Sequence, residues 1–135
     1  MSEKELSQYY FYKKEIKDIE YRIAELGYGV GSIKYTNEPK STLRAASIQE
    51  KITELKDILI EKRISALEAY LNIESFIGNI DESEMRLIAR YRFLDCLTWE
   101  QIAAKLGNGQ DRTSVSKKFR KFISNSHISH IDVLK

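Results

Sequence analysis

The chain has 135 residues, 42% of them hydrophobic and 31% charged, with six glycines, one proline and a formal net charge of +2. That length suits one compact domain, or a small domain joined to an extended helical element, and so little Gly and Pro favours helix over sheet. A single cysteine, Cys96, excludes an intrachain disulfide, and no stretch approaches the roughly 18 apolar residues of a membrane span.

The modest net charge conceals an asymmetry. Residues 1–85 carry 12 Lys/Arg against 16 Asp/Glu, a net of −4, whereas residues 86–135 carry 10 against 4, a net of +6. A positive field confined to the C-terminal part is what contact with phosphate there would use. The opening MSEKELSQYYFYKKE places charges where a signal peptide needs an apolar core, and with the lone cysteine this leads us to expect a soluble, cytoplasmic protein.

Between Leu6 and Leu26, Tyr9, Tyr12, Ile16, Ile19, Ile23 and Leu26 recur at intervals of 3, 4, 3, 4 and 3. That is a heptad seam, too short to stand alone, so it calls for a partner helix from the same chain or another copy. Gly27 is expected to end this helix. The following GYGVGSIKYTNEPKS, with three alternating glycines and Pro39, reads as a mobile connection. It is not a phosphate loop, because no strand precedes it and Gly-Lys-Ser/Thr is absent. Lys34, Tyr35 and Lys40 are within it as possible contacts to DNA or a partner.

A second long helix is expected to start between Ser41 and Ser47, where Ser47-x-x-Glu50 forms a capping-box pattern, and to end near Ile77. It carries two apolar stripes. Ile52, Leu55, Leu59, Ala66, Ala69, Ile73 and Phe76 make the first, and Ile60, Ile64, Leu67 and Leu71 the second. A helix of roughly 30 residues spans about 45 Å, against about 30 Å for the first helix, so a hairpin of the two leaves one end unpaired. The overhang and the second stripe are the sequence's argument for a homodimer or a larger assembly.

Gly78-Asn79 should break this helix, with Asp81-x-x-Glu84 capping a third from about Glu82 to Leu94 whose buried stripe is Leu87, Ile88, Tyr91 and Leu94. Arg86, Arg90 and Arg92 lie off that stripe and either reach phosphates or pair with nearby carboxylates.

Residues 98–122, TWEQIAAKLGNGQDRTSVSKKFRKF, then form two short helices around a glycine-containing turn. Thr98-x-x-Gln101 is a capping box, Trp99, Ile102, Ala103 and Leu106 share one face, and Gly107 stops the first helix. Asp111 suits the N-cap of the second, whose core face is Val115, Phe119, Phe122 and Ile123. Thr113, Lys117, Arg120 and Lys121 point away from that face, with Ser114, Ser116 and Lys118 on its flanks. A small residue at the crossing, a turn glycine and a buried valine are the features of a helix-turn-helix, a module that lays its second helix in the DNA major groove. Five cations, Arg112, Lys117, Lys118, Arg120 and Lys121, fit that task.

Beyond Phe122, His127-x-x-His130 with Asp132 has a weak metal-like spacing, while Ile128, Ile131, Val133 and Leu134 read as a small docking segment. Nowhere is there a nucleophile–base arrangement or a nucleotide loop, so neither an enzyme nor a cofactor nor a metal is expected.

The run MRLIARYRFLDCLTWEQIAAKLG, followed by a basic helix ending KKFRKF, resembles the C-terminal promoter-reading domain of sigma factors. The whole layout is similar to phage late-gene transcriptional regulators of the RinA/ArpU kind, through Arg90-Tyr91-Arg92, Leu97-Thr98-Trp99, Gln101-Ile102-Ala103 and Leu106-Gly107 after a helical hairpin. The resemblance implies DNA binding near a phage or mobile-element promoter, activation through RNA polymerase, and the cytoplasm of a bacterial host. Val115 follows Gly107 by eight positions, about two more than in the usual helix-turn-helix.

These readings combine into an all-α fold: an N-terminal coiled-coil-like hairpin over residues 1–78 for oligomerisation or partner binding, then a three-helix, sigma-like helix-turn-helix domain with a short tail over residues 79–135. Arg112, Thr113, Ser116, Lys117 and Arg120 are expected to reach base edges of double-stranded DNA, and Arg92, Thr98, Lys118 and Lys121 its backbone. The rival readings are a small terminase-like DNA-packaging subunit, and a protein-binding adaptor that never touches DNA.

Overall fold

The computed structural model describes the backbone of residues 1–32 and 39–134 and the side chains of residues 1–29 and 42–125. Lys34, Tyr35 and the side chains of Lys40, His127, His130 and Asp132 lie outside these described residues. The fold is all-α, with no strand among the described residues. The helices are α1 (Glu3–Leu6), α2 (Gln8–Ser32), α3 (Pro39–Gly78), α4 (Ser83–Ala89), a π-helical turn (Arg90–Leu94), α5 (Trp99–Leu106) and α6 (Arg112–Leu134). They form two compact units, one of residues 11–67 and one of residues 1–10 with 68–135. The division between these units falls inside the long helices α2 and α3.

In the unit of residues 11–67, Ile19 of α2 and Ala45, Ile52, Leu59 and Ala66 of α3 are buried. The four α3 residues recur every seven positions, the coiled-coil period that keeps one face of a helix toward a neighbour. Ion pairs join the two helices. Lys62 Nζ lies 2.7 Å from Glu15, and Arg63 Nη2 donates to Glu20 at 3.1 Å. Hydrogen bonding to Glu15, with coulombic attraction behind it, holds the Lys62 ammonium above its ordinary pKa.

The helix ends differ from expectation. α2 does not stop at Gly27 but runs on to Ser32, and Gly27 keeps an ordinary helical backbone. Glycine inside a helix costs only about 1 kcal/mol, so it ends one only where the chain turns away. α3 opens on Pro39, a residue suited to the first turn because its missing N–H has no helical partner there.

The second unit holds the main core. Ile73, Ile77, Ile88, Ala89, Ile102, Val115 and Phe119 are fully buried in it together with Leu6, and Ile80, Met85, Phe93, Leu94 and Ala103 complete its interior. The end of α3 expected to overhang a hairpin is thus used within the chain, because Ile73 and Ile77 enter this core. α1 was not foreseen. Its capping box, Ser2 with Glu5, fixes the short helix that delivers Leu6, and the Ser2-x-x-Glu5 pattern was the signal for it.

At the start of α4 the expected Asp81 capping box is absent. The N-cap is Glu82 and makes no side-chain bond. Arg86 stabilises this end instead, its guanidinium donating to the Ile80 and Asp81 carbonyls and to Ser83 Oγ. Leu87, expected inside, is exposed, and Met85 and Ala89 take the core positions. The third helix is also not α-helical to Leu94. From Arg90 it widens into a π turn, with the Asp95 N–H donating to the Arg90 carbonyl at 3.0 Å, and Cys96 then turns the chain with φ +59°.

Candidate nucleic-acid interface

α5 and α6 are the two arms of the expected helix-turn-helix, and local chemistry sets both ends of the turn between them. The Thr98 hydroxyl accepts from the Gln101 N–H at 3.2 Å while Gln101 Oε1 accepts from the Thr98 N–H at 2.9 Å. The box uses those two amides and leaves those of Trp99 and Glu100 at the open end of α5. Gly107 ends α5 at φ +69°, ψ −147°, a region essentially restricted to glycine. Asn108 and Gly109 follow at φ +59° and +70°, so three successive residues with positive φ accommodate the longer turn. Asp111 then caps α6, its Oδ1 accepting from the Ser114 N–H at 2.8 Å, and Arg112 is the first helical residue.

Removing the Thr98 hydroxyl should show how much this start matters. Thr98→Ala is expected to lower stability by about 0.5–2 kcal/mol in urea denaturation, the usual cost of losing a capping oxygen.

Phe119 ties α6 to the rest of the unit. Its ring lies 5.6 Å from that of Phe93, 6.1 Å from Trp99 and 6.2 Å from Phe122, with tilted planes. With Val115 beside it this face is closed, so the opposite face of α6 is the one presented outward.

On that outward side is a cleft of about 520 Å³ lined by Arg92, Thr98, Trp99, Glu100, Arg112, Thr113, Ser116, Lys117 and Arg120. Seven of the nine residues expected to meet DNA are brought together here; Lys118 and Lys121 are not. Four cations converge on the cleft, but they differ in availability. Arg112 and Lys117 are exposed and have no ion-pair partner among the described residues. Arg120 is engaged by Glu3 at 3.3 Å. Arg92 stacks on the Trp99 ring at 4.7 Å and donates from Nη1 to the Leu97 carbonyl at 3.0 Å, which holds it in place at the cleft wall.

Ser116 is only 9% exposed, and its hydroxyl donates to the Thr113 carbonyl at 3.1 Å. It forms part of the cleft floor, with its proton already used. Lys118 bonds Glu84 at 2.8 Å and Gln110 at 3.4 Å, whereas Lys121 is exposed with no ion-pair partner among the described residues. Of the other arginines, Arg90 pairs with Glu74 at 2.8 Å.

Two lining residues were missed from the sequence. Trp99, which its spacing places in the core alone, both supports Phe119 and lines the cleft, with an Nε1–H that is buried and without a partner among the described residues. Glu100 is exposed beside the cations. It sets an acceptor among donors, and its position two residues after a helix N-cap was the available signal.

Among the described residues no group of three His, Cys, Asp or Glu side chains is placed to hold a metal, and no helix is long and apolar enough to cross a membrane. Comparison with known proteins finds no family, curated protein or solved structure that matches the chain.

Proposed function

We propose that the chain is a sequence-specific, double-stranded-DNA-binding transcription regulator that places α6 in the major groove. The observation that carries the reading is the convergence of Arg112, Thr113, Lys117, Arg120 and Arg92 on one cleft beside the open amide end of α5. Arginine and lysine read guanine O6 and N7 through the major groove, Thr113 accepts or donates, and Glu100 supplies the complementary acceptor. Arg92 and Lys121, with the Trp99 and Glu100 amides, hold phosphates and set the register.

The likeness to phage late-gene regulators extends the proposal to an activator of phage or mobile-element late genes. It would act as a dimer near a promoter with RNA polymerase, in the cytoplasm of a bacterial host. Nothing in this function calls for catalysis or a cofactor.

The test is selection of bound duplexes from a random pool, followed by titration of the enriched site across salt. Several phosphate contacts require affinity to fall steeply, by orders of magnitude, between about 50 and 200 mM salt. No enrichment, or binding indifferent to salt, would overturn the reading in favour of a protein-binding adaptor. A ring of many copies by light scattering would favour the packaging subunit.

Glu3 gives a further prediction. Its carboxylate holds Arg120 at 3.3 Å and must yield if that guanidinium turns to DNA. Glu3→Gln is expected to tighten binding modestly, by about two- to fivefold, in line with the small worth of an exposed ion pair. Equal or weaker binding in the same titration would show that Arg120 stays with Glu3 in the complex.

A further inference from the structure

α3 carries an exposed apolar stripe along its length. Ile60, Ile64, Leu67 and Leu71 are 54–59% exposed, and their spacing of 4, 3 and 4 places them on one line along the helix. The buried residues Ile52, Leu59 and Ala66 lie on a different face of the same helix. Isolated exposed leucines are ordinary, but an unbroken row of four large aliphatic side chains is a contact surface.

The charges beside the row say what covers it. With Ile60 and Leu67 at d and Ile64 and Leu71 at a, Lys56 and Arg63 fall at g, and Glu61 and Glu68 at e. All four are exposed. In a parallel pair, each g side chain meets the e side chain five residues on in the other copy, so Lys56 faces Glu61 and Arg63 faces Glu68. In an antiparallel pair g meets g and e meets e, which sets cation against cation and carboxylate against carboxylate.

We infer that this stripe is the seam of a parallel two-stranded coiled coil formed with a second copy of the chain. The inference deepens the dimeric form proposed above but does not depend on DNA being present. The seam has four layers, with Thr53 and Asp57 at the positions before it and Glu74 at the position after it. So short a seam gives a dimer that dissociates on dilution. Arg63 also bonds Glu20 at 3.1 Å, and from the g position its fork reaches either carboxylate.

The test uses the full chain, without DNA, in sedimentation velocity over a concentration series. The parent is expected to pass from monomer to dimer. A variant with acidic flanks, Lys56→Glu with Arg63→Glu, and one with basic flanks, Glu61→Lys with Glu68→Lys, should each associate on the order of tenfold or more weakly, because every cross-seam pair becomes like-charged. Mixing the two should restore the dimer, which also shows that both are folded.

Orientation is read by disulfide capture under mild oxidant in a Cys96→Ser background. Leu71→Cys should cross-link to itself, since a parallel seam sets position 71 against 71, whereas an antiparallel one sets it against 60. A parent that stays monomeric, flanks that can be reversed without effect, or cross-linking only when Ile60→Cys and Leu71→Cys chains are mixed would each overturn the inference. Because assembly is read without DNA, a chain that dimerises but binds no duplex would fail the regulatory reading alone. A monomer that still binds its site would fail only the seam.

Discussion

Replacing Phe119 with Ala is expected to cost about 3–5 kcal/mol, the usual range for emptying a large buried aromatic site. The side chain is fully buried, and the rings of Phe93, Trp99 and Phe122 surround it. Those rings belong to the π turn, to α5 and to α6 itself, so the cavity would loosen three elements together. Domains of this size have stabilities of about 5–15 kcal/mol in total, and a loss of this order leaves the unit marginal. Urea denaturation followed by tryptophan fluorescence is a direct measure, because the only tryptophan, Trp99, is one of the contacts. A shift in the midpoint corresponding to less than about 1 kcal/mol would show that α6 is held by something other than this aromatic cluster.

The largest functional effect is expected from Arg112 and Lys117, the two exposed cleft cations without an ion-pair partner among the described residues. Each change to Ala should cost about 1–3 kcal/mol on the selected site and relax specificity at the base it faces. Lys121 provides the contrast. As an exposed cation outside the cleft, it should on conversion to Ala weaken all duplexes about equally and reduce the salt slope by about one. Both variants of the cleft cations binding like the parent on the selected site would remove the outer face of α6 from the interface. If instead Lys118→Ala had the greater effect, the DNA would lie toward Glu84, on the flank of α6 outside the cleft.

The two sets of measurements separate a support from a contact. Phe119 makes no polar contact and should change affinity only in proportion to the population left unfolded. Arg112 and Lys117 contribute nothing to the core, so their loss should leave the urea midpoint nearly unchanged while affinity falls. Trp99 belongs to both groups, since it touches Phe119 on one side and supports Arg92 at the cleft wall on the other.

Features governed by residues within a turn or two of one another were legible in the sequence alone. The Thr98–Gln101 box, the stop at Gly107, the Asp111 cap and the core face of α6 each follow from a donor, an acceptor or a side-chain volume that is only a few positions from its partner. The cleft was largely legible for the same reason, because helical periodicity places Arg112, Thr113, Ser116, Lys117 and Arg120 on adjoining positions of one helix. What only the tertiary structure decided is what meets across distance: Glu3 with Arg120, Leu6 in one core with Ile73 and Ile77, Lys118 with Glu84, and Arg86 in the place of an Asp81 cap. It also decided that Gly27 stays helical, that the chain widens at Arg90–Leu94, and that Ser116 turns its hydroxyl to its own helix. The physical reason is that a helix's intrinsic preferences amount to a few tenths of a kcal/mol per residue, and burial of a single large side chain elsewhere in the fold outweighs them.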